Sequence, residues 1–140
     1  MQQESATSSL VDARKVAFSA ACAAETKKAI STVVLEVRQV TLIADYFVFT
    51  GGESKAQVKA IAEAILANMD KCGRQAKSVE GLRDARWVLI DLGDVIIHIL
   101  QADEREYYKL EQFWNHALIV SPDEWSNSDN LVEEAKESKD

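Results

Sequence analysis

Gly51-Gly52-Glu53-Ser54 stands directly before a helical run, and further along Asp91 and Asp94 flank Leu92-Gly93. Glycines and a serine that open a helix can turn backbone N–H groups toward phosphates, and paired aspartates can hold a metal. Together these residues would suit a nucleotide-binding protein or a nucleotidyl-transfer enzyme. Two-metal phosphoryl transfer, however, needs several carboxylates converging on ions about 4 Å apart. Here the two aspartates border one tight turn, and no third acid has a route to them. The glycine pair also lacks the lysine and fixed spacing of a P-loop. A turn followed by a helix cap accounts for it.

The remaining reactive side chains point the same way. His98 lies within an apolar strand pattern, with neither a cysteine nor a serine placed to make it a catalytic base. His116 has no ligand partner, so neither histidine suggests a metal site, and no cofactor is expected. Cys22 and Cys72 each fall on the apolar face of an expected helix and read as small core side chains rather than a disulfide. Trp87 is the residue with most to offer. An aromatic side chain with aliphatic neighbours and an acidic rim has the make-up of a protein-binding hot spot.

The elements that must position these residues follow from periodicity. Ser9 and Asp12 suit the start of a helix over residues 10–28, and residues 33–37 and 45–50 read as strands, the second broken by Gly51-Gly52. Ser54 and Gln57 form a capping box, and Gly73 sits where a C-terminal cap belongs. Between them Val58, Ile61, Ala62, Ile65, Met69 and Cys72 keep helical spacing, on one face only. Trp87 to Leu92 and Asp94 to Leu100 read as a hairpin turning at Leu92-Gly93, which pairs Asp91 with Asp94, Leu89 with Ile96 and Trp87 with His98. Val88, Ile90, Val95, Ile97 and Ile99 then form a purely apolar face, and Trp87, Leu89, Asp91, Asp94, Ile96 and His98 an open, mixed one. Asp103 to Trp114 reads as a helix clustering Tyr107, Tyr108, Glu111 and Trp114. Ser121-Pro122-Asp123-Glu124 suits the start of a short helix holding Trp125.

The whole chain sets the limits. Its 140 residues fit one domain, and 47% hydrophobic with 28% charged residues is an ordinary globular balance. We expect a flexible segment at 1–9, a domain over 10–118, and a largely disordered acidic tail over 119–140. No apolar stretch approaches the roughly 18 residues of a membrane span. The start lacks a basic segment leading into an apolar one, so no secretory signal is expected and the location reads as cytosolic. The net charge of −7 is uneven: residues 123–140 hold seven acids and two lysines, and residues 80–116 eight acids and four bases. Such acidity repels phosphate, so little direct contact with nucleic acid is expected and a basic protein partner suits it better.

Several of these pieces also resemble a known family. Asp45-Tyr46-Phe47-Val48, Thr50-Gly51, Val79-Glu80-Gly81, the run Trp87-Val88-Leu89-Ile90-Asp91-Leu92-Gly93-Asp94-Val95 with His98, and Glu106 to Trp114 resemble the Iojap/RsfS family of ribosomal silencing factors. The resemblance covers about residues 10–116. It implies an α/β (α+β) fold, a mixed sheet with helices mainly on one face in a nucleotidyltransferase-like topology without the catalytic site. It also implies a partner, the large ribosomal subunit through large-subunit ribosomal protein fourteen, and a repressive action in which the small subunit is kept from joining. A homodimer is compatible with it. Trp87, Leu89, Asp91, Asp94, Ile96, His98, Tyr107, Tyr108, Glu111 and Trp114 are the expected partner-binding residues. The family's glycine loop usually continues with threonine, serines, arginine and histidine, whereas this chain has Glu53-Ser54-Lys55-Ala56-Gln57.

Overall fold

The computed structural model describes residues 2–108, 114 and 116–126, with side chains from residue 12 onward except those of Tyr107 and Tyr108. The elements are α1 (Gln2–Thr26), β1 (Ile30–Glu36), β2 (Tyr46–Gly52), α2 (Lys55–Lys71), β3 (Ser78–Glu80), β4 (Trp87–Asp91), β5 (Val95–Gln101), α3 (Ala102–Tyr108), β6 (Leu118–Val120) and α4 (Pro122–Trp125). Six strands form one sheet in the order β3-β4-β5-β2-β1-β6. Only the central pair, β2 with β5, is parallel, and the other pairings are antiparallel. The fold is the expected mixed α/β one, with the two long helices on one face of the sheet.

Alternation along the strands sorts the side chains. Tyr46, Val48, Val88, Ile90, Val95, Ile97 and Ile99 are buried in one cluster with Val16, Ala17, Ala20, Ala24, Ile61 and Ile65 of the long helices. The alanine-rich face of α1 lets it lie close to α2. Residue Ser54 caps α2, its hydroxyl accepting from the Gln57 N–H at 3.1 Å. Gln57 in turn accepts from the Glu53 N–H at 2.7 Å and donates to the Lys27 and Lys28 carbonyls at 3.0 Å each, fastening the end of α1 to the start of α2. At the other end Gly73 follows the helix, and the Arg74 N–H returns to the Met69 carbonyl at 2.8 Å.

Several expectations are corrected. The hairpin pairs Leu89 with His98, Asp91 with Ile96 and Trp87 with Leu100, a shift of two residues from the expected register. The turn therefore sits on Gly93-Asp94, closed by the Leu92 N–H to the Val95 carbonyl at 2.9 Å. An even shift keeps every side chain on its face, so the apolar face is buried as expected. Gly51 and Gly52 do not break β2 but end it, because a side chain at Gly51 would come 2.9 Å from the Leu100 carbonyl oxygen. Helix α1 begins at Gln2, ahead of Ser9. Ordered packing also runs past residue 118: β6 joins the sheet, and Trp125 is buried in the main core. Of the helix expected over 103–114, α3 covers 103–108, and residues 109–113 lie outside the described residues. Glu111 and the tail beyond 126 lie outside the described residues.

Arg74 holds three elements together. Its guanidinium donates to Asp12 of α1 at 2.5 Å, to Asp94 in the β4–β5 turn at 2.5 Å, and to the Leu92 carbonyl at 3.2 Å. The site is partly exposed, so solvent screens the pairing. Replacing Arg74→Ala should lower the unfolding free energy by about 1–3 kcal/mol, measured by urea denaturation at pH 7. A loss below about 0.5 kcal/mol would mean that the turn is held without it.

Candidate functional site

The face of the sheet turned away from the long helices is built in cross-strand rows. One row runs Ile119, Leu35, Phe47, Ile96, Asp91, Ser78 from β6 to β3. The next runs Val33, Phe49, His98, Leu89, Glu80, and a third Gly51, Leu100, Trp87. Under β1 and β2 this face is a second small core of Leu35, Val37, Ala44, Phe47 and Phe49, closed by Trp114 and Ala117. The Trp114 ring meets Phe47 edge-on at 4.8 Å. Arg105 of α3 is buried, donates to the Ser31 carbonyl at 2.8 Å, and lies over Gly51, where a Cβ would crowd it at 3.4 Å.

Toward β4 the described residues supply no such cover, and Trp87, Leu89, Asp91, Ile96 and His98 are half-buried together rather than fully open. The Trp87 indole N–H donates to Nδ1 of His98 at 3.1 Å. The imidazole stacks on Phe49 at 5.0 Å and meets Phe47 edge-on at 6.2 Å. Because Nδ1 accepts this bond, the neutral ring carries its proton on Nε2. Burial among aromatic rings pushes the imidazole down to about 4 from an ordinary 6.5. His98 is thus an uncharged positioning group that fixes the indole across the sheet.

The acids are tied into the turn. An Asp91 carboxylate oxygen accepts from the Gly93 N–H at 2.7 Å, and its carbonyl accepts from the Lys77 N–H at 2.7 Å. Asp94 is engaged by Arg74, and its carbonyl accepts from the Asp45 and Tyr46 N–H groups at 2.8 and 3.2 Å. Asp94 therefore lies in the turn instead of on the mixed face, where the sequence register placed it. Burial first, then Asp94 nearby, raises the Asp45 carboxyl above its ordinary value. Among the described residues no group of three or more His, Cys, Asp or Glu is placed to hold a metal.

Other candidates resolve in the same way. The space beside Gly52 is filled by Gln57 and Val58 of α2. The buried Cys22 thiol donates to the Trp125 carbonyl at 2.8 Å, and Cys72 is half-buried near Ser19; the two form no disulfide. Tyr107 and Tyr108 end α3, with side chains outside the described residues, as is Glu111. Sequence reasoning missed Phe47, Phe49 and Arg105. The alternation Tyr46-Phe47-Val48-Phe49 was the available signal, since aromatic residues on both faces of one strand mean burial on both.

The His98 geometry gives a pH dependence. The unfolded imidazole binds a proton near 6.5 and the folded one near 4. Its contribution to stability is therefore complete above 6.5 and is lost as pH falls toward 4. From pH 7 to pH 5, His98 should account for about 2 kcal/mol of lost unfolding free energy. Urea titrations of wild type and His98→Gln should differ by that amount in their change between the two pH values. Parallel profiles would contradict a buried neutral ring.

Known proteins share this framework. The family model described as "Ribosomal silencing factor during starvation" matches residues 11–140. Ribosomal silencing factor RsfS of Bacillus subtilis is 44% identical over 104 residues, spanning 74% of this chain and 88% of that protein. The chloroplastic protein Iojap of Zea mays is 34% identical over 107 residues, spanning 74% of this chain and 45% of its own. A crystal structure of a Bacillus halodurans protein, 41% identical, superposes with a TM-score of 0.64 over 73% of this chain and 92% of that one. One from Chromobacterium violaceum, 28% identical, gives 0.70 over 73% and 85%. With the family model spanning nearly the whole described fold, the chain belongs to the family of ribosomal silencing factors.

Proposed function

We propose that this protein binds the large ribosomal subunit through large-subunit ribosomal protein fourteen and keeps the small subunit from joining, acting by occupancy without chemistry of its own. The observation that carries this reading is the half-buried patch of Trp87, Leu89, Ile96 and His98, whose indole is already oriented by the bond to His98. A preoriented aromatic loses little rotamer freedom when a partner covers it. The aliphatic neighbours supply area, and Asp91 supplies an acidic rim for a basic partner. Trp114 supports the same face through Phe47. We place Tyr107, Tyr108 and Glu111 in the same interface from the family resemblance.

The acids on this reading steer and the indole anchors. Truncating a buried anchor costs at least about 2 kcal/mol, roughly thirtyfold in affinity. Changing a rim acid alters mainly association rate and salt dependence. The test is co-sedimentation with isolated large subunits for wild type, Trp87→Ala and Trp87→Phe. Wild type should sediment with the subunits, Trp87→Ala should need about thirty times more protein, and Trp87→Phe should fall between. A folded Trp87→Ala variant that binds as wild type does would remove this face from the mechanism. Turnover of a nucleotide with magnesium would instead point to an enzyme.

A further inference from the structure

Among the described residues, the large aliphatic side chains standing in solvent gather along one edge of the sheet. In the β1–β2 loop Leu42 is 103% exposed, Ile43 64% and Val40 40%, and in β6 Ile119 is 71% and Leu118 55% exposed. The two groups adjoin: Val37 and Ala44, which bracket the loop, pack in one cluster with Ala117, the residue before β6. Among the described residues β6 pairs with β1 on one side, and no strand lies on its other side. Sheet edges are usually blunted by shortness, lysine, proline or a bulge; β6 is short, three residues, yet Leu118-Ile119-Val120 contains no charge and no proline. An edge of this kind offers backbone groups to an incoming extended segment, flanked by apolar side chains.

Charge says what that segment is. Near the edge stand Glu36, Asp45, Asp123 and Glu124 against two bases; Arg38 pairs with Glu36 at 3.3 Å and Arg14 with Glu124 at 3.6 Å, which leaves the acids in excess by two. Residues 127–140 hold five acids and two lysines, so the sequence beyond α4 is acidic as well. A second copy, carrying −7 overall, would meet the edge with charge of the same sign. Nucleic-acid phosphate is repelled on the same ground. A protein segment that is extended, apolar in alternate positions and basic at its ends fits the backbone edge, the aliphatic side chains and the acids together.

Resting on the ribosome-binding reading above, we propose that β6 and the Val40–Ile43 loop take an extended basic segment of a large-subunit ribosomal protein as a seventh strand. Ile119 stands in the same cross-strand row as Phe47, Ile96 and Asp91, so the added strand extends the face that carries Trp87. β4 and β6 are four strand spacings apart, about 19 Å, which one interface of standard size spans. The partner is thus gripped at two places, by the indole on β4 and by backbone pairing on β6.

The test uses the full chain and isolated large subunits. Binding is read by co-sedimentation for wild type, Trp87→Ala and the double variant Leu42→Ser with Ile119→Ser, and by hydrogen exchange of the amides of residues 118–120. Both serines replace exposed side chains, and an unchanged unfolding midpoint confirms the fold. The double variant should need at least about ten times more protein, and the 118–120 amides should exchange at least about tenfold more slowly on the subunits. If wild type sediments and Trp87→Ala is weakened while the double variant and the exchange are unchanged, the edge proposal falls and the silencing reading stands. If wild type does not sediment at all, both fall. A chain that is dimeric alone, and that Ile119→Ser makes monomeric, would assign the edge to a second copy and overturn the proposal.

Discussion

The parallel pairing of β2 with β5 is the constraint from which the rest of the molecule follows. Every residue of β2 is buried, which requires cover on both faces of the sheet at its centre. One face receives Tyr46 and Val48 and draws the two long helices onto it. The other receives Phe47 and Phe49, and Gly51 completes it by leaving room for Arg105. A parallel pair cannot be closed by a tight turn, so the chain must cross over, and α2 with β3 and β4 makes that crossover. Among the described residues this second layer covers β1 and β2 and leaves the face of β4 half-buried, and that is the candidate face.

What the second layer leaves behind is chemically plain and mechanically stiff. The indole of Trp87 is fixed by a neutral imidazole, which is itself stacked on a buried phenyl ring. The turn beyond it is fixed by Arg74, which reaches back to the first helix. Side chains of reactive type are occupied in holding these groups. Asp91 closes its own turn, and Ser54 and Gln57 close the start of α2. Stiffness of this kind favours recognition, since little remains to be ordered when a partner arrives.

Much of this was legible in the sequence for reasons that can be named. The two faces of the hairpin were assigned correctly although its register was two residues out, because a period of two tolerates an even slip. The caps of α2 were legible because each is local, a few residues speaking to their neighbours. What escaped was non-local or short. β3 and β6 are three residues each, too few for a pattern. Arg74 meets Asp94 from twenty positions away and Asp12 from sixty-two, and no spacing rule announces such a pair. Gly51 and Gly52 read as a break because glycine usually is one, and only the packing of Leu100, Arg105 and Val58 reveals their place within a strand. The exposure of Val40, Leu42 and Ile43 also escaped, since apolar residues give no sign in sequence of having nothing to cover.

The central claim is that occupancy of the large subunit excludes the small one. Light scattering of separated subunits mixed at a magnesium concentration that favours joining tests it directly. With the protein bound to large subunits beforehand, the rise in scattering should shrink in proportion to the fraction of large subunits occupied, and Trp87→Ala should restore it at equal protein concentration. A full rise in scattering from large subunits that still carry the protein would contradict steric exclusion.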